Sequence, residues 1–240
     1  MIAFGQPHLH LRTVGSTNDR ARELAQAGAP NGTVVTAGEQ SAGRGRRGRI
    51  WAAPADQALL YSAILRPLDI THVLLPLAVP VAVCEAVEAV AQGVEARIKW
   101  PNDVWLDEAK VAGVLIEARP PEWAVIGIGV NVVIDAADFP VDLRWPATSI
   151  GGAATVAATR AAVSEALGRW VDAAAEEVLG EFRRRDALLG REIAWEGGGI
   201  DPGAGTVAGI DERGNLVVEP EDGDPVALGA GEVTLRVSRD

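Results

Sequence analysis

The run "WAVIGIGVNVV", residues 123–133, narrows the choice of folds more than any other stretch of this chain. It reads as a β-strand, and it is too apolar to serve as an exposed edge. A chain that carries it must build a sheet and cover it. Gly127 and Gly129 alternate along the run, so they share one face of the strand. Two missing side chains on one face leave either tight strand packing or a slot for a flat ligand. No helix start follows the glycines, so a dinucleotide fingerprint is not supported.

The neighbouring segments supply the rest of the sheet. "HLHLRTV" (8–14), "TVVTAGEQ" (33–40) and "ALLYSAILRP" (58–67) read as strands, the last stopping at Pro67. "GSTNDRARELAQAG" (15–28) reads as a helix with Ser16 or Thr17 at its N-cap, an apolar stripe of Ala21, Leu24 and Ala25, and Gly28 at its end. From Thr71 to Ala91 the chain is rich in Ala and Val. Pro76 and Pro80 are expected to confine the clean helix to the second half of that stretch. "EARIKW" and "KVAGVLIEA" read as strands joined across "PNDVWLDEA". Residues 159–189 carry helical spacing through Val163, Leu167, Trp170, Val171, Val178 and Phe182. After Gly190 the texture changes to short alternating runs between Gly, Pro and Asp turns, the pattern of a small β-barrel or sandwich. The expected organisation is therefore a domain over 1–189 and a second over 190–240.

Composition bounds the function. Apolar residues make up 48% of 240, enough for a proper core. No apolar run is expected to approach the ~18 residues of a membrane span, and the N-terminus shows no secretory signal. The lone Cys84 fits a reducing cytoplasm, and three histidines with one cysteine give no zinc-ligand spacing. The net charge is −11, and the tail from residue 190 holds eleven acidic against four basic residues. Of 22 basic residues only Lys99 and Lys110 are lysines. A drift from Lys to Arg spares lysines whose compact charge Arg cannot replace. Both survivors lie in "IKWPNDVWLDEAKVAG", which marks that segment as a candidate site.

Against this acidic background, "SAGRGRRGR" (41–49) places four arginines and three glycines in nine residues. Glycines let backbone amides turn toward an anion, and arginines offer paired hydrogen bonds to phosphate or carboxylate. The stretch lacks the Lys-Ser/Thr of a Walker A loop. With Ala42 its one apolar residue, it is expected to be mobile until an anion arrives. A solvated basic turn or an RNA-touching segment is the other reading. In "KWPND", Pro101 makes a sharp turn that presents Asn102 and Asp103; the amide suits a purine edge, the carboxylate suits Mg²⁺, and a plain turn suits both. "KVAGVLIE" sets Lys110 three residues before Gly113, where a ligand could approach the backbone. "STN" (16–18) is a helix cap, or a row of hydroxyls and an amide for a urea-like head.

The order and spacing of these motifs are more specific than any one of them. STN, GRGRRGRxW, KWPND, KxxGxLxE, GxGxN and then a β-rich tail with "GIDERGNL" resemble the biotin–protein ligase family over residues 9–237. The resemblance implies an α+β fold: a mixed β-sheet catalytic domain with helices packed on one side, and a small C-terminal SH3-like β-barrel. It implies activation of biotin with MgATP to biotinyl-adenylate, then transfer to a lysine of a carboxylase's biotin carboxyl carrier domain.

On this chain's residues, the resemblance implies a biotin site of Ser16, Thr17, Asn18, Gln40, Gly43, Arg44, Gly113 and Leu115, floored by Gly127 and Gly129. Arg46 would grip phosphate beside Arg49, and Trp51 would pack on adenine. Lys99, Asn102 and Asn131 would position the nucleotide, with Asp103 as a magnesium partner. Lys110 would bridge the biotin carboxylate and the α-phosphate, making Lys110, Arg46 and Arg44 the catalytic set. Family members often begin with a DNA-binding domain; none fits before the strand at residue 8, so this chain resembles the ligase-only class and is expected to bind no DNA and no membrane. A homodimer is compatible with the resemblance. The alternatives are a lipoate or octanoyl transferase relative, which does not usually carry the Arg-Gly loop, and an RNA-binding protein.

Overall fold

The strand read as buried, β7 (Trp123–Asn131), lies at the middle of a seven-stranded sheet. The computed structural model describes residues 3–141, 143, 145–196, 201–229 and 234–237. The other strands of this sheet are β1 (His8–Val14), β2 (Val34–Gln40), β3 (Ala58–Leu65), β4 (Arg97–Lys99), β5 (Asp103–Leu106) and β6 (Ala109–Arg119). Their order is β1-β2-β3-β7-β6-β5-β4. Only β1 and β2 run parallel, joined through helix α1 (Thr17–Gln26); every other pair is antiparallel. The sheet is therefore mixed, as expected.

Both faces are covered. On one, Tyr61, Leu65, Ile126 and Ile128 pack under α2 (Leu75–Val90), α3 (Val156–Trp170) and α4 (Ala175–Arg185). On the other, Ala21 and Ala25 of α1 close over Val35, Ile64 and Val125. The helices expected on one side are thus α2 to α4, and α1 takes the opposite face, because its apolar stripe needs the alternate residues of β2, β3 and β7.

Three local expectations are corrected. Helix α2 is not confined to its second half. Pro76 sits in the first turn, where its missing N–H has no intrahelical acceptor in any case. Pro80 forfeits one bond, and burial of every residue from Leu77 to Cys84 holds the helix through it. Second, Ile70–Val90 is long and apolar enough to cross a membrane, against the reading of the composition; two-thirds of it is buried inside this protein, where it is the core helix. Third, "PNDVWLDEA" is not a plain connection. Its Val104, Trp105 and Leu106 are buried in the extra strand β5, set between two tight turns.

The helical region beyond 156 divides into α3 and α4 at 171–174. Arg185 anchors α4. It is buried, it forks onto Glu88 of α2 at 2.6 and 2.8 Å, and it also meets Glu181 (2.7 Å) and the Ala96 carbonyl (2.9 Å). Beyond it, β8 (Glu192–Glu196), β9 (Gly203–Ile210), β10 (Leu216–Glu219), β11 (Val226–Leu228) and β12 (Thr234–Val237) form a second, antiparallel sheet in the order β11-β10-β9-β8-β12. This is the small β-structure that the tail's turn spacing implied.

Candidate active site

A cavity of about 640 Å³ opens where the start of α1, the Arg-Gly loop, the β5–β6 hairpin, β7 and residues 139–147 meet. Its first end is a row of polar side chains. Ser16 precedes α1 in extended backbone, yet its side chain makes no capping bond, and it lines the cavity instead. The Thr17 amide and hydroxyl both donate to Gln40 Oε1, at 2.7 and 3.0 Å. Asn18 Oδ1 accepts from the Ser62 hydroxyl (2.6 Å), while Asn18 Nδ2 donates to Glu117 (2.9 Å) and to the Leu115 carbonyl (3.3 Å). Ser16, Thr17 and Asn18 thus all line the cavity, and Ser16 holds the N-cap position without a side-chain capping bond. Buried hydroxyls and amides require such partners, and here the partners also fix their directions.

The other end is cationic and aromatic. Lys110 Nζ lies 2.6 Å from Asp103, which β5 presents in register with Gly113. Arg46 Nη1 donates to Asn102 Oδ1 at 3.2 Å, and Asn102 Nδ2 donates to the Val114 carbonyl at 2.8 Å. Burial, followed by the neighbouring Arg47 charge, pushes the Arg46 guanidinium below its ordinary pKa, while Asp103 works the other way. A guanidinium does not lose its proton in a protein, so the site bears the cost of a half-buried cation that an arriving anion would relieve. The Trp51 indole lies across Gly129 and Gly113, with Lys110 Nζ 5.5 Å from its ring centre. Its Nε1 is buried and finds no hydrogen-bond partner among the described residues. Asn131 Nδ2 donates to the Thr148 carbonyl (3.0 Å) and thereby holds the far wall.

The two glycines of β7 have distinct tasks. A Cβ on Gly127 would stand 2.1 Å from Asn18 Oδ1, and one on Gly129 would stand 2.4 Å from Trp51 Cε2. The slot they open is taken by the protein's own Asn18 and Trp51, each of which forms a wall of the cavity. Gly43 serves the loop. Its missing side chain lets the Trp51 carbonyl approach, and the Trp51 amide donates back to the Gly43 carbonyl at 3.0 Å.

The Arg-Gly stretch makes a narrow hairpin closed by a 3₁₀ turn at Arg46–Gly48, with the Gly45 amide on the Arg49 carbonyl at 2.7 Å. The side-chain contacts it makes in this arrangement are polar. Arg44 reaches Asp19 at 2.7 Å and Glu117 at 3.1 Å, toward the first end, while Arg46 points to the second. Arg49 is exposed and sits at the rim. Lys99 stands apart from the cavity lining. It is buried, 5.9 Å from the Trp105 ring and 5.1 Å from that of Trp145.

Sequence reading missed several participants. Glu117 lies inside the KxxGxLxE motif, but no role was read from it; here it collects Asn18, Arg22 and Arg44. Ser62 is a polar residue alone in "LLYSAIL", a signal that a buried partner must exist. The wall over 139–147, with Phe139, Leu143 and Trp145, gave no local signal.

One cavity with hydrogen-bonding groups at one end, two cations in the middle and an indole at the other has the layout of a ligase that activates a carboxylate with a nucleotide. The chain belongs to the Biotin/lipoate A/B protein ligase family, whose sequence model matches residues 11–131. It is 34% identical to the bifunctional ligase/repressor BirA of Bacillus subtilis, over 92% of this chain and 71% of that one. To the biotin–[acetyl-CoA-carboxylase] ligase of Mycobacterium tuberculosis it is 32% identical, over 91% and 85%. Its structure resembles the biotin protein ligase of Aquifex aeolicus solved with biotin and ATP, with a TM-score of 0.79, 28% identity, and coverage of 97% of this chain and 100% of that one.

Proposed function

We propose that this protein is an ATP-dependent biotin–protein ligase, and that Lys110, held at 2.6 Å by Asp103 between the two ends of the cavity, is the observation that carries the reading. The Ser16–Asn18 row with Gln40 takes the polar head of biotin. Arg46, Asn102 and Trp51 take the nucleotide. A biotin carboxylate oxygen attacks the α-phosphorus, the bond to pyrophosphate breaks, and biotinyl-5′-AMP forms. Two anions must meet at bonding distance, and fixed cations in a pocket of low dielectric offset their repulsion. Asp103 aims Lys110. A carrier lysine amine then attacks the acyl carbon, AMP leaves, and an amide remains.

Magnesium fits as an ion that arrives with ATP. Among the described residues Asp103 is the one carboxylate lining the cavity, and Mg²⁺ is commonly held by one or two carboxylates together with substrate phosphates. Among the described residues no cluster of three or more His, Cys, Asp or Glu could hold a metal by itself. Such an ion would neutralise charge on the departing pyrophosphate. We take the acceptor to be the biotin carboxyl carrier domain of a carboxylase, and the compartment to be the cytoplasm. The test is mass spectrometry of a carrier domain incubated with this protein, biotin and MgATP. One added biotinyl group on one lysine, and none with lipoate in place of biotin, is the expected result; an unmodified carrier rules the reading out.

A further inference from the structure

We propose that the C-terminal sheet positions Asp103 and Lys110, through Trp100 seated on the Gly214 carbonyl and Arg191 seated on Glu108; the idea rests on the ligase reading above. Strand β5 lies between two tight turns. The turn before it begins at Trp100 and leads to Asn102 and Asp103. The turn after it is Asp107–Glu108 and leads to Lys110. The second sheet touches both.

At the first turn, Trp100 is 1% exposed, and its indole Nε1 donates to the Gly214 carbonyl at 3.0 Å, across 114 residues of chain. Gly214 lies in the β9–β10 turn at φ +80°, and a Cβ there would stand 2.8 Å from Leu77 of α2. That turn is itself fixed. Asp211 Oδ1 accepts from the Arg213 and Asn215 amides at 2.8 and 2.9 Å. The acceptor for Trp100 is therefore preset.

At the second turn, Asp107 and Glu108 both have left-handed backbone, at φ 45° and 65°. This is the geometry of a two-residue hairpin loop that favours Asn-Gly, and neither residue is present. Arg191, just ahead of β8, grips the Glu108 carboxylate with both arms of its guanidinium, at 2.5 Å each. That hydrogen bond is the leading cause holding Glu108 below the usual carboxylate pKa. A surface ion pair adds little to global stability, but a bidentate one fixes direction, and Lys110 is two residues further on.

None of Trp100, Glu108, Arg191 and Gly214 lines the cavity, so they act through Asp103 and Lys110 as positioning residues. The polar row is carried by α1, β2 and β3, on the far side of β7 from the hairpin, and the β6 residues that Asn18 meets, Leu115 and Glu117, lie five and seven residues beyond Lys110. Loosening these two contacts should therefore slow the chemical step while leaving biotin binding in place.

The test uses the full chain carrying Trp100→Phe, which keeps the ring and removes the N–H, together with Arg191→Gln. The expected result is a fall of about 10-fold in kcat for biotin-dependent pyrophosphate exchange, with biotin Kd at the parent value. The exchanged pair, Glu108→Arg with Arg191→Glu, should recover most of what Arg191→Glu alone loses. Because the chain has only two lysines, ¹³Cε-lysine labelling gives two side-chain signals, and that of Lys110 should shift in the Trp100→Phe/Arg191→Gln protein. The proposal is overturned if kcat and the Lys110 signal keep their parent values, or if kcat and biotin affinity fall together. A parent protein with no exchange activity would count against the ligase reading alone, and the Lys110 signal would then decide the positioning.

Discussion

At residue scale, Lys110 and the glycines of β7 give the sharpest expectations. A compact ammonium can reach a carboxylate and a phosphate at one point between them, and a planar guanidinium cannot follow it there. Lys110→Arg should lower pyrophosphate exchange by at least ~10-fold, and Lys110→Ala by ~10²-fold or more, with the fold intact by circular dichroism. Near-parent exchange in Lys110→Arg would remove Lys110 from the centre of the mechanism. The two glycines separate the ends of the cavity. Gly127→Ala drives a methyl into Asn18 and should weaken biotin binding while ATP binding stays. Gly129→Ala drives one into the Trp51 indole and should do the reverse. Calorimetric titration of each variant with each ligand checks the pair, and parallel losses in both variants would mean that the two ends are not distinct.

Two elements respond to their surroundings in different ways. In the Arg-Gly hairpin, the Arg46 side chain donates to an amide oxygen, that of Asn102, and an adenylate phosphate would be a stronger acceptor. Glycines keep the open states of this loop cheap, so closure should depend on the anion. Proteolysis within 41–49 should be rapid in the free protein and slowed by biotin with MgATP. Arg46→Gly should still form adenylate but release it, labelling lysines on bystander proteins. Equal protection with and without ligands would make the loop a static surface feature. Helix α4 responds instead to acid. Hydrogen bonds from Arg184 and then Arg185 hold Glu181 at a pKa of about 2, against 4.5 for the unreacted group. A carboxylate depressed on folding contributes stability that is complete above the unfolded value and is lost as pH falls toward the folded one. Stability should therefore decline between pH 4.5 and about 2, and Glu181→Gln should flatten that decline in thermal melts.

For the whole molecule, the near-absence of lysine has a chemical consequence. An enzyme that makes a reactive acyl-adenylate exposes its own amines to it. Here Lys99 is buried against Trp105 and Trp145, Lys110 is paired with Asp103, and every other basic side chain besides histidine is a guanidinium that stays protonated. Incubation with biotin and MgATP without carrier should leave both lysines unmodified by peptide mass spectrometry; biotin on Lys99 or Lys110 would contradict this. The sequence by itself determined what depends on neighbours along the chain. Alternation made β7 a buried strand, the turn spacing of the tail made a second β-structure, and the spacing of STN, the Arg-Gly loop, KWPND and KxxGxLxE located most of the cavity. Only the tertiary structure decided what depends on residues far apart. Periodicity carries no record that Ser62 would meet Asn18, that Glu117 would gather Arg22 and Arg44, or that Trp100 would find a carbonyl 114 residues away. It also placed α1 on the opposite face and let α2 run through Pro80, because burial of a whole helix outweighs one lost hydrogen bond, and burial is a property of the assembled molecule rather than of any segment.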